Sequence, residues 1–133
     1  MVNILTCHTL GITHSIRNEF TFHGVNSNNF DRLQPGLTIV LIKVIKVPKS
    51  DVSLQLKSNL TSSEDTTSNF SSTIAADIKG LDGYNMRRVV DKMNETTFVN
   101  RVNQQVNKNS ALKSECIVLD KVSEPKVDSE IGI

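Results

Sequence analysis

The sequence predicts an α+β fold: an antiparallel β-sheet of about five strands with an N-terminal β-hairpin, followed by one bent or two short C-terminal helices. Three observations carry this. Residues 37–59 read LTIVLIKVIKVPKSDVSLQLKSN, two β-type runs joined by Pro48-Lys49-Ser50-Asp51. The second run alternates, with Val52, Leu54 and Leu56 on one face and Ser53, Gln55 and Lys57 on the other, the period of a strand with one covered face. After Asn85 the period changes, and Met86, Val89, Val90 and Met93, then Val99, Val102 and Val106, recur at helical spacing.

In chain order, Thr6 to His14 is a β-like run with Gly11 in its middle, and Asn18 to Val25 alternates around Phe20 and Phe22. Ser15-Ile16-Arg17-Asn18 between them is the expected hairpin turn. Gly24 to Gly36, rich in Asn and Ser and ending in Pro35-Gly36, reads as a loop with one short strand near Phe30–Leu33. Leu37 to Val47, dominated by Val and Ile, reads as a strand of roughly 36 Å at about 3.3 Å per residue. Leu60 to Asn69 is a polar, acidic loop containing Glu64-Asp65. Phe70 to Ile78 is a further strand weakened by its alanines. Gly80 and Gly83 bracket a turn, and Asn85 caps a helix that bends or breaks at Asn94 to Phe98. By this pattern residues 1–109 form the α+β domain and residues 110–133 a loosely held tail.

The chain has 133 residues, 38% hydrophobic and 5% aromatic, with no Trp and one Tyr, enough for one domain but with a thin core of its own. An obligate dimer follows as an expectation, with Val89, Val90, Met93, Val99, Val102 and Val106 as interface residues covering a shared sheet. Net charge is +1, so no global field attracts nucleic acid. The N-terminus lacks a basic lead and does not read as a signal peptide, and Lys43 and Lys46 interrupt the longest apolar run, so no membrane span is expected. Asn59, Asn69 and Asn94 begin glycosylation sequons, read as chance matches in an Asn- and Ser-rich chain.

Nucleotide-loop, zinc-protease, paired-cysteine and serine-elbow motifs are all absent from the sequence. His8, His14 and His23 lie on strand-like segments without paired acids, and adjacent Cys7 and His8 point to opposite faces. Cys7 and Cys116 make no disulfide scaffold. No metal, no cofactor and no enzymatic activity are expected. The basic residues offer two readings. Lys57, Lys46, Lys43, Gln55, Ser53 and Thr38 can form a sheet face that meets RNA phosphates and bases, or the lysines keep an exposed sheet soluble and block edge pairing.

With Thr9-Leu10-Gly11 and Gly24-Val25-Asn26 at the ends of the opening hairpin, two central strands and helices after Asn85, the layout of residues 5–108 resembles the coat proteins of small single-stranded RNA bacteriophages, the levivirus-type capsid proteins. The resemblance implies a dimer whose helices cross the partner's sheet, an icosahedral shell around single-stranded RNA, binding of an RNA hairpin, and a location in the virion or the host cytoplasm. The sheet carries no aromatic platform for a looped-out base, and the tail is longer than that layout needs. The alternatives are a small nucleic-acid-binding regulator using the basic helix from Arg87 to Lys108, and a non-enzymatic interaction module. Particle formation would separate the three.

Overall fold

The computed structural model of the chain describes residues 12–59 and 71–131. Strand β1 (Ile12–His23) is its spine. Ile16, Asn18, Phe20 and Phe22 are buried on one side of it, while Arg17, Glu19, Thr21 and His23 lie on the other, the two-residue period of a half-covered strand. An Asn-rich turn leads into helix α1 (Phe30–Ile45), then a 3-10 turn at Lys49–Asp51 and strand β2 (Val52–Asn59). Strand β3 (Ser71–Leu81), helices α2 (Gly83–Met93) and α3 (Phe98–Lys108), and strands β4 (Val118–Val122) and β5 (Lys126–Ile131) follow.

The sheet is antiparallel and runs β2-β3-β1, with β4 beside Phe20–His23 and β5 beside Ile12–Arg17 on the far edge of β1. Strands β1 and β2 are therefore parallel across β3, and β3 and β4 are parallel across β1. Two split β-α-β units interlock in this way, a ferredoxin-like layout. The α+β class and the antiparallel sheet of five strands agree with the sequence reading. So do two short helices separated at Asn94–Thr97, although α2 is capped earlier than expected, Asp82 Oδ1 accepting from Asn85 N–H at 2.7 Å.

The largest correction concerns Leu37–Val47, which is not a strand. Phe30, Leu33, Leu37, Val40, Leu41 and Val44 are buried at helical spacing, a stripe that becomes visible only when the segment is counted from Phe30. Pro35-Gly36 does not end a loop. Pro35 sits on the solvent side of α1, and Gly36 lies against Leu112, whose Cδ2 would be 3.0 Å from a Cβ placed there. The pair combines an exposed proline inside the helix with a close approach at the glycine, not a break. Likewise Ser15–Asn18 forms no hairpin turn; β1 runs through it, with a register shift between His14 and Ile16 against β3. The segment expected as a tail contributes β4 and β5 to the sheet, through Ile131. Thr9-Leu10-Gly11, Cys7, His8 and the loop at Leu60–Asn69 lie outside the described residues.

All three helices cover one face of the sheet. Phe20 packs its ring 6.1 Å from Phe98 and 6.3 Å from Phe22, and Val89, Met93, Val102 and Val106 are buried beneath the helices, with Val90 and Val99 packed against the same core. These five valines and one methionine were expected at a dimer interface. They instead bury the chain's own sheet, because the supposed central strand is a covering helix, and the need for a partner's helices disappears with it.

Candidate functional site

The uncovered face of the sheet brings together three strands. Arg17 of β1 is paired with Asp77 of β3, which is paired with Ser53 of β2; one step along, Glu19, Ala75 and Gln55 are aligned in the same way. Residues aligned like this have Cβ atoms about 5 Å apart and share a face. The small Ala75 leaves room above it, and Lys57 Nζ reaches Glu19 Oε2 at 3.5 Å. Two shallow depressions mark this face. One, of about 470 Å³, is bordered by Thr13, His14, Ser15, Lys79, Asp128 and Ser129, and the other, of about 430 Å³, by Ser53, Gln55 and Lys57. Arg17 and Asp77 belong to both and mark where they meet.

Asp77 is unusual. Its Oδ2 lies 3.8 Å from Lys79 Nζ, a loose pair, while Oδ1 is shielded from solvent and accepts no hydrogen bond among the described residues. A sheltered polar atom left unpaired costs roughly 1–3 kcal/mol. Arg17, its neighbour across the strand, is exposed and makes no ion pair among the described residues. At the edge of the sheet His14 Nδ1 and Ser129 Oγ, partners across β1 and β5, are 2.7 Å apart; His14 shares the parity of Ile16, and its Nε2 would be 3.9 Å from a Cβ placed at Gly83 in the first turn of α2, on the helix side of the sheet. An imidazole at that distance can take the hydroxyl's proton, and no carboxylate among the described residues bonds its other nitrogen to fix the tautomer. No group of three or more His, Cys, Asp or Glu able to hold a metal occurs among the described residues, and no described helix is long and apolar enough to cross a membrane.

The six residues expected to contact RNA fall in three places. Lys57, Gln55 and Ser53 line the second depression. Lys43 and Lys46 project from the last turn of α1, in a groove of the helical layer. Thr38 is buried, its Oγ1 donating to the Gln34 carbonyl at 2.9 Å. They form no common surface, and on the sheet Lys57 and Lys79 are each matched by an acid, so the face lacks the excess positive charge that RNA phosphates require. Arg17 and Asp77 were not singled out by the sequence, since Arg17 falls in the supposed turn; the strand parity Ser15, Arg17, Glu19 is the signal that locates it.

No family model matches the chain. No curated protein matches it either. Among solved structures it is similar to AtUAH in complex with glyoxylate, at 14% identity and a TM-score of 0.45, covering 96% of this chain and 32% of that one. It is also similar to AtUAH in complex with (S)-hydroxyglycine, at 13% identity and a TM-score of 0.36, covering 94% and 32%. A Staphylococcus aureus protein described as an aminohydrolase follows at 6% identity and a TM-score of 0.33, covering 92% and 31%. The chain thus spans about a third of the length of each. Overlaps this loose transfer neither activity nor substrate.

None of the three is a coat protein, and the names are of the aminohydrolase kind. The resemblance to phage coat proteins is corrected, together with the shell-forming and RNA-packaging function it implied. The alternatives of a nucleic-acid-binding regulator and a non-enzymatic module, and the expectation of no enzymatic activity, are set aside with it. The layout itself gives the physical reason: with α1 at residues 30–45, the pair of central strands that carried the resemblance does not exist.

Proposed function

We propose that the chain binds a small polar molecule on the open face of its sheet, one carrying both an N–H donor and an acid group. The observation behind this is Asp77 Oδ1, sheltered and without a partner among the described residues, at the point where both depressions meet. A ligand N–H would complete it, and the exposed Arg17 guanidinium beside it would pair with a carboxylate, as a planar fork of donors does well. Calorimetric titration with amino acids, guanidino acids and N-acyl amino acids tests the reading. Saturable binding that Arg17→Ala and Asp77→Leu each abolish supports it; no heat from any of these ligands overturns it.

The 2.7 Å contact between His14 and Ser129 favours a second, hydrolytic reading, placed at the sheet edge beside α2 and separate from the open face. Ser129 Oγ would attack a bound amide carbonyl while His14 takes its proton and passes it to the leaving amine, water then releasing the acyl group. Ser129→Ala would stop amine release and leave binding intact, whereas unchanged release would remove this reading.

A further inference from the structure

The helical layer, on the other side of the sheet from the open face, holds a second feature. A groove of about 160 Å³ is lined by Lys43, Lys46, Lys92 and Arg101 with the amides of Gln104 and Gln105. Its four cations come from three helices: Lys43 and Lys46 from the end of α1, Lys92 from the last turn of α2, Arg101 from the first half of α3. Lysines near a helix C-terminus ordinarily compensate its negative end. Here that task is taken by Arg88, whose guanidinium donates to the Ile45 carbonyl at 2.7 Å and to the Lys46 carbonyl at 2.9 Å. The Lys46 backbone N–H closes Ile42 O at 2.7 Å, with Lys46 in the left-handed conformation at φ 59°. Arg101 has one acid, Glu95, at 3.5 Å; Lys43, Lys46 and Lys92 make no ion pair among the described residues.

Like charges gathered in one concavity repel each other until an anion joins them, and an anion that binds the folded state stabilises it. At about 30 Å³ per water, the groove has the volume of about five waters, room for a phosphate group. We infer that this groove binds a small phosphate-bearing ligand, the lysine ammonium groups meeting the phosphate oxygens and Gln104 and Gln105 donating to its bridging or ester oxygens.

Inorganic pyrophosphate is the probe, added to the intact chain with thermal unfolding and calorimetry as readouts. Expected are a midpoint that rises with pyrophosphate, an affinity that falls steeply with salt, and roughly tenfold weaker binding in Lys46→Gln/Lys92→Gln, with a shallower salt dependence. Arg17→Ala, on the opposite face, should leave pyrophosphate binding unchanged, which separates this groove from the sheet-face site. Pyrophosphate that does not bind at millimolar concentration, or that binds the double variant as well as the wild type, overturns the inference. So does an oligonucleotide that binds the groove where pyrophosphate does not.

Discussion

The guanidinium of Arg88 on α2 donates to two successive backbone carbonyls at the end of α1, Ile45 at 2.7 Å and Lys46 at 2.9 Å. A helix leaves its last carbonyls without partners, and a side chain from another element that satisfies them fastens the two together. Arg88→Ala is expected to lower stability by roughly 1.5–3 kcal/mol, the range for hydrogen bonds to charged groups. Arg88→Lys should recover only part of this, since a single ammonium cannot span two carbonyls as the fork does. Urea unfolding of the three proteins gives the values; equal stability of wild type and Arg88→Ala would contradict the contact's role.

A second fastening ties the N-terminal turn of α1 to the segment before β4. Arg32 grips Glu115 through two hydrogen bonds of 2.7 and 3.2 Å. The bond from Arg32 is the main cause that holds the Glu115 carboxyl below its ordinary range, and the same bond raises Arg32. A carboxyl depressed in the folded state contributes above the unfolded carboxyl's pKa, and that contribution is lost as pH falls through the folded value. The raised guanidinium adds nothing near neutrality, where it is charged in both states. The stability gap between wild type and Glu115→Gln is therefore expected at neutral pH and should close in acid, and high salt should narrow it. A gap that persists in acid would assign it to something other than this charge.

Val102 is fully buried beneath α3, in the same core as Phe98. Val102→Asp is expected to destabilise the chain by about 3 kcal/mol or more, since an unpaired charge would enter that core. The loss should appear at every protein concentration, as unfolding of the single chain. Circular dichroism across a dilution series checks it: a folded variant that merely fails to associate would return Val102 to an interface.

How far the sequence was legible follows from which period each segment shows. The alternation of Val52, Leu54 and Leu56, and the spacing of Val89, Met93, Val102 and Val106, fixed β2, α2 and α3, because each segment has one polar and one apolar side. Helix α1 was misread because its C-terminal half is nearly all Val, Ile and Leu; a short apolar run without polar interruptions carries no period of its own, and Pro35-Gly36 hid the first turn. The error carried forward, turning a covering helix into a bare strand and the chain's own core valines into an interface. At the site, Ser53, Gln55 and Lys57 were placed on the open face from their parity. Asp77 could not be recognised, because its distinction is an unsatisfied oxygen, which depends on what surrounds it and not on what precedes it in the chain.

That oxygen is the centre of the account. If Asp77 Oδ1 is kept unpaired for a ligand, removing it should not harm the free protein: Asp77→Leu, similar in shape, is expected to be neutral or to stabilise by about 1 kcal/mol, since the loose pair to Lys79 is worth little at the surface. Equilibrium unfolding of the unliganded variant checks this half, and a loss above about 2 kcal/mol would make Asp77 a structural residue.

The most direct measurement is a two-dimensional amide NMR titration of the intact chain with the amino-acid, guanidino-acid and N-acyl amino-acid ligands. A saturable shift is predicted for Arg17, Ser53, Asp77 and Lys79, absent in Asp77→Leu, with the buried face of β1 at Ile16 and Phe20 unmoved. Spectra that stay unchanged at millimolar ligand, or shifts that survive in Asp77→Leu, would contradict a binding site on this face of the sheet.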